Sequence, residues 1–405
     1  MGGRRARARV SSLHVAIAGA GIGGLTAALA LARIGCRVAV LEQAAALEEA
    51  GAGVQLAPNA SRILARLGVL DRLGARAVAP ERLLIHKASD ASVLAQMRLG
   101  AAAQARWGAP FLVCHRADLQ TALLAAAGEA GVMLHLGAAL TGLAADAGRV
   151  VASFKQGLVR QTVEADALIG ADGLHSFVRA RLAPGSAAPV STRTAWRTLV
   201  PAADAPFFAR ALQSHLWLGR QAHLVHYPVR GGALVNVVAI VGEKGDAGDA
   251  RGFWEQKGET FPAARFAGWH AGARDLLAAA AAWRKWPLFE RPPLPHWNAG
   301  RVALLGDAAH PMLPFLAQGA GQAIEDAAAL AAALGASRDV EAALAVYSRA
   351  RSVRADRVQA QSRRQGDIYH MAGPAALVRN LVLRLTGPER MAAQTDWLYA
   401  RDAGM

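Results

Sequence analysis

Four glycines (Gly19, Gly21, Gly23 and Gly24) and a carboxylate at Glu42 carry the sharpest chemical signal in this sequence. His14–Ala18 before them reads as a strand. Leu25–Ile34 reads as a helix closed by Gly35, and Arg37–Leu41 as a second strand ending at Glu42. In such a strand–turn–helix–strand unit Gly19 permits the tight turn, Gly21 lets the backbone approach a pyrophosphate, and Gly24 allows close helix–strand packing. Glu42 follows Gly24 by 18 positions, the place from which an acid binds ribose hydroxyls. The spacing predicts a dinucleotide site and leaves NAD and FAD both open.

A second chemical centre lies in Arg301–Leu334. Val302–Leu305 reads as a buried strand ended by Gly306 and Asp307; a turn-rich stretch with Pro311, Pro314, Gly319 and Gly321 follows, then an Ala/Leu-rich helix from about Gln322. Asp307 is placed to accept hydrogen bonds from sugar-like hydroxyls, and free N–H groups at the helix start face an anion or a polarised ring. A similar carboxylate–glycine turn occurs at Asp172-Gly173. Arg116 opens a helix, where the macrodipole disfavours positive charge, so it either faces a ligand or pairs with an acid such as Asp118. His223 and Tyr227 stand four apart on a strand and share a face, whereas His226 has the opposite parity. Core packing is the plain alternative for that pair.

The elements that must position these residues follow a divided plan. Short strands at Val132–Leu136, Arg149–Phe154, Gln161–Glu164 and Asp166–Gly170 continue the α/β pattern. From Ala195 to Val241 the pattern turns to β: Trp196–Val200, Ser214–Leu218, His223–Tyr227 and Leu234–Val241, with Gly231-Gly232 as a hairpin turn. Residues 253–283 read as helices, Pro287–Pro295 as a proline-rich link, Asp339–Arg364 as a long charged helix, and Ala375–Leu385 as a shorter one. Residues 1–12 read as a disordered extension.

Bulk properties narrow the function classes. The 405 residues suffice for two domains, and 53% are hydrophobic. The formal charge of +15 raises nucleic acid as a partner. The basic residues, however, are mostly arginines spread along the chain, with no zinc-ligand spacing, RNA-binding signature or basic heptad run beside them, so none is expected. Leu13–Ala32 is apolar enough to suggest a membrane segment, but its glycines suit a turn instead. Cys36 and Cys114, the two cysteines, fit free thiols in a reducing cytoplasm and no metal site.

Taken together, Gly19–Gly24, Glu42, Gly170-Ala-Asp172-Gly173 and Gly306-Asp307-Ala-Ala-His310-Pro311 resemble the single-component FAD-dependent aromatic hydroxylases, the family of para-hydroxybenzoate hydroxylase. The resemblance runs from about residue 13 to 385. Gly51–Ala60, His223–Arg230 and Ala317–Gly319 look closest to its salicylate and 3-hydroxybenzoate hydroxylase branch, with hydroxynicotinate monooxygenases near. It implies an α/β fold in which a discontinuous Rossmann-like FAD-binding domain (13–80, 100–185 and 287–345) surrounds an antiparallel β-sheet substrate domain (81–99 and 186–286). A C-terminal helical region (346–405) follows. Gly19, Gly21, Gly23, Gly24, Glu42 and Gln43 would hold the ADP half of non-covalent FAD. Gly53, Val54, Arg116, Asp172 and Asp307 would meet the rest of the cofactor, and Pro314, Gly319 and Ala320 its ring, with Pro314 counted among the catalytic residues as well. NADH or NADPH would reduce it transiently, dioxygen would add to give a flavin hydroperoxide, and an electron-rich phenol would be attacked. His223 and Tyr227 would handle the phenol proton, the histidine with a pKa near neutrality, and Gln55, Arg197 and Phe315 would line the substrate. Phe315 stands where some relatives carry histidine, which makes the pocket more apolar. A ubiquinone-pathway-type hydroxylase and a non-catalytic FAD-binding protein remain as alternatives, and the chain is expected to be a monomer or a homodimer.

Overall fold

Near-continuous apolar runs such as VAIA, VAVL and ALIG suit strands buried on both faces, and in the computed structural model they form the centre of a six-stranded sheet. Its order is 298–299, 302–304, 167–170, 14–18, 37–42 and 133–136, parallel except at the short edge strand Asn298–Ala299. The structure describes residues 13–47, 52–146, 148–187, 189–242 and 260–402, without the side chains of 191 and 192. The extension expected over residues 1–12 lies outside them, as do Gly51 and residues 253–259. Helices Ile22–Arg33 and Gly319–Ala336 pack closely because their contact is made of glycine and alanine: a Cβ on Gly23 would come within 3.0 Å of Ala323.

A seven-stranded sheet takes the order 284–290, 190–201, 234–241, 222–229, 214–218, 82–87 and 93–98. It is not wholly antiparallel as expected, since Ser214–Leu218 runs parallel to Arg82–Lys87. One face packs on the helix Ala271–Ala278 around Trp196, Trp217 and Leu276. A three-stranded antiparallel sheet (138–145, 150–156 and 159–165) sits beside the six-stranded one. The long helix Val340–Tyr369 is N-capped by Asp339, whose carboxylate accepts from the Glu341 and Ala342 N–H groups. Helix Gly373–Leu385 follows it.

Three readings change. Among the described residues of 253–283 the regular helix is Ala271–Ala278, preceded by a 3₁₀ turn. The expected link at 287–295 begins inside the edge strand Arg284–Glu290, where Pro287 needs no hydrogen-bonded N–H on the outer side. The helix expected from Gln322 starts at Gly319.

Candidate active site

The glycine turn lies at the carboxyl end of the central strand, where neighbours 37–42 and 167–170 diverge to either side, the usual ligand crevice of an open α/β sheet. Gly19 adopts φ +100°, and a Cβ there would lie 2.5 Å from the Ala171 oxygen. A Cβ on Gly24 would collide with the Gly19 carbonyl, whereas one on Gly21 would meet nothing within 4 Å. The turn is therefore closed on the protein side and open in front of Gly21. Helix Ile22–Arg33 begins at Gly21 without a side-chain cap, so its first-turn N–H groups point to the open side. Glu42 steadies the turn: its two carboxylate oxygens accept from Ala20 N at 2.7 Å and Ala44 N at 2.8 Å, with lone pairs to spare. Gln43 beside it is exposed. Gln120, which the sequence reading missed, donates to the Ala20 oxygen from helix Arg116–Glu129.

The second turn is held by buried charge. Gly306 (φ +63°) donates its N–H to Asp326, which also meets His310 Nε2 at 2.6 Å and Arg351 Nε at 2.7 Å. Burial opposes ionisation of Asp326, but His310 and Arg351 bring it down to about 2. Glu325 beside it is gripped by Arg351, Arg354 and Asn59. Asp307 projects the other way. Its carboxylate is reached by solvent although protein surrounds it, the position of a cleft floor, and desolvation raises its pKa against the pull of His310 and Arg116. Pro314 and Phe315 form a 3₁₀ turn just beyond, and Gly319 and Ala320 start an uncapped helix.

Gly53–Leu56 pairs with Leu112–His115, which sets Gly53 and Val54 beside Arg116. Asp118 is engaged by Arg76 at 3.6 Å and Arg230 at 3.4 Å, and Arg116 has no ion pair among the described residues. Of the two readings left open for Arg116, the pair with Asp118 is thus not formed, and the charge of Arg116 is felt instead at Asp307 and at Arg197. Asp172 is spent locally: it accepts from the Ser176 hydroxyl and from Val178 N at 3.1 Å, fastening the start of helix Phe177–Leu182.

The cross-strand register puts His223, Tyr227, Asn236 and Arg197 on one face of the seven-stranded sheet. His226 turns to the other face, stacked 4.4 Å from His215. Tyr227 packs on Gly53, shares a hydrogen bond with Gln55, and has its phenol pKa raised by burial. Arg197 is not a surface residue. It lies half-buried over Trp286 at 5.2 Å, its Nε has no hydrogen-bond partner among the described residues, and burial lowers its pKa. His223 sits at the other end of the face against Phe315 at 5.5 Å and Tyr369 at 5.3 Å, with Nδ1 2.8 Å from His370 Nε2. The expectation of a histidine titrating near neutrality is corrected here. Burial first, then His370 and Arg193, push its pKa well below the usual value, so the ring is neutral. His223 and Tyr227 share a face but have separate neighbours.

His370, Asn236 and the Asp326–Arg351 cluster escaped the sequence reading. His370 comes from a distant segment that no local spacing flags, whereas Asn236 lies opposite Tyr227 across the hairpin turned at Gly231-Gly232 and so had a local signal. Glu325-Asp326 did leave a signal: two adjacent acids in an Ala/Leu-rich helix must find cations if buried.

Comparisons with known proteins give these geometries a family. The profile described as FAD binding domain matches residues 12–362. The chain is 38% identical over 396 residues to a 3-hydroxybenzoate 6-hydroxylase of Polaromonas naphthalenivorans (strain CJ2), covering 97% of both chains. It superposes with a TM-score of 0.84 on Klebsiella pneumoniae HpxO complexed with FAD and uric acid, at 27% identity over 97% of each chain. A salicylate hydroxylase substrate complex gives 0.77 at 28% identity, over 97% of this chain and 96% of that one. The open side of Gly21, the uncapped helix starts, Arg116 without an ion pair among the described residues, and the solvent-reached Asp307 are donors and acceptors of the kinds FAD needs. The chain belongs to the FAD binding domain family and, within it, to the FAD-dependent aromatic monooxygenases.

Proposed function

We propose that this monooxygenase hydroxylates a small phenolic aromatic acid of the 3-hydroxybenzoate or salicylate type, using NADH or NADPH and dioxygen. The observation that carries the reading is the contact between the two halves of the site. Phe315, just beyond Asp307, packs on His223, and Gly53 packs on Tyr227 and Asn236. A cofactor held along the first side and a ring lying on the sheet would be neighbours.

FAD, when bound, supplies the carrier that NAD(P)H reduces and that activates dioxygen for transfer to the ring. The chain's own residues bind, orient and shield. The first-turn N–H groups behind Gly21 take the pyrophosphate, and Glu42, with Gln43 beside it, takes the adenosine ribose. Arg116 meets the phosphate–ribityl region, Asp307 the ribityl hydroxyls, and Gly53, Val54, Pro314, Gly319 and Ala320 border the ring. Asp172 supports this side by holding its own turn. Arg197, a half-buried cation whose Nε has no hydrogen-bond partner among the described residues, suits a substrate carboxylate, and Gln55 and Tyr227 anchor the ring. His223 receives the phenol proton at Nε2, since Nδ1 is engaged. Phe315 keeps that end of the pocket dry.

Purified protein tests the reading. A flavin spectrum with NAD(P)H oxidation stimulated by 3-hydroxybenzoate or salicylate, and a hydroxylated product, is expected. Flavin-bearing protein that none of a hydroxybenzoate panel stimulates would sink the substrate class. His223→Ala should cut hydroxylation at least tenfold and keep FAD; equal loss of flavin would mark the residue as structural.

A further inference from the structure

His223 is almost wholly buried, at 1% exposure, so a proton arriving on it needs a route out. Its Nδ1 meets His370 Nε2 at 2.8 Å, and His370, at the end of the long helix, is only half-buried. One hydrogen bond between two neutral imidazoles holds one proton, so the two tautomers are coupled. With the shared proton on His223 Nδ1, the lone pair of Nε2 is left free to accept and His370 carries its own proton on Nδ1. With the shared proton on His370 Nε2, His223 becomes a donor and cannot act as a base.

We propose that His370 is the positioning residue of His223, fixing its basic tautomer and passing the phenol proton from the buried ring towards solvent. The inference rests on the base assignment of His223 made above. The transfer balances without a co-reactant. The phenol O–H bond breaks as Nε2–H of His223 forms. The Nδ1–H proton of His223 moves to Nε2 of His370, and the Nδ1–H proton of His370 leaves to water. Both rings end neutral in the opposite tautomers, and exchange with water restores them.

The surroundings favour onward passage over storage. Arg193, on strand 190–201 two places along the sheet, acts on both rings; Arg379 of the following helix and Arg265 of the 3₁₀ turn act on His370, with Asp367 as the single opposing carboxylate. Asp367 is itself held by Arg193 at 2.7 Å. After burial, these cations help bring His370 down to about 4, so it does not hold a positive charge at neutral pH.

The test compares His370→Leu with His370→Gln, each as FAD-loaded full chain with 3-hydroxybenzoate or salicylate, whichever the wild type turns over. Glutamine can accept from His223 Nδ1 and so keeps the tautomer, but it cannot relay a proton. Leucine should lower kcat at least tenfold with KM for the aromatic little changed and shift the kcat–pH profile to higher pH, and glutamine should recover part of kcat. Two results overturn the proposal: wild-type kcat and pH profile in His370→Leu while His223→Ala is impaired, or equal damage in both His370 variants with loss of flavin. Unimpaired His223→Ala would instead defeat the base assignment itself.

Discussion

The turn at Gly19–Gly24 and the sheet face at His223–Tyr227 serve one site by opposite means. In the first the backbone does the work: absent side chains create the room and a helix start supplies the donors. In the second every contribution is a side chain, and the partners arrive from residues as far off as 315, 369 and 370. A backbone site is broken by any added atom, whatever its chemistry. A side-chain site tolerates shape-preserving exchange and fails on lost chemistry.

Experiments ranked by expected effect sharpen that contrast. Gly24→Ala drives a methyl group into the Gly19 carbonyl and should give protein without flavin; a yellow Gly24→Ala protein would show that the turn can shift. Arg351→Ala leaves Glu325 and Asp326 buried with less compensation and should cost about 3–5 kcal/mol, read by denaturant unfolding. Asp307→Ala removes a side chain rather than adding one, so it should weaken FAD binding at least tenfold without unfolding, and unchanged flavin affinity would refute the ribityl assignment.

Acid should distinguish the two regions. His86, His215, His223, His226 and His370 all belong to the seven-stranded sheet or pack on it, and burial holds each below its ordinary pKa, His215 at about 3. The unfolded chain then binds more protons than the native one below about pH 6.5, so stability is full above that value and falls as pH drops towards 4. Trp217, stacked on His86 at 4.6 Å, should report loosening by fluorescence across this window. A melting temperature flat from pH 7 to 4 would contradict the assignment. At the small end, Arg66→Ala removes an exposed pair with Asp402 and should change stability by about 0–1 kcal/mol.

The same contrast explains what could be read before the structure. Gly19, Gly21 and Gly24 were legible because a local conformation demands glycine at fixed intervals. The parity of His223, Tyr227 and His226 was legible because a strand has period two. His370 was invisible, since only tertiary packing brings it to His223. The ionisation of His223 was misjudged because spacing carries no information on burial.

Gly53 has a consequence for redesign. Its N–H is bound by Asn236 at 2.7 Å, and a Cβ there would lie 2.6 Å from the Tyr227 ring, so the two halves of the site touch with no slack. That contact is a rivet. It fixes the gap between cofactor and ring, and larger substrates must be accommodated elsewhere. The opposite wall offers the adjustable end: Phe315 fills the space above Gly366, and trimming that ring would lengthen the chamber while leaving its width unchanged.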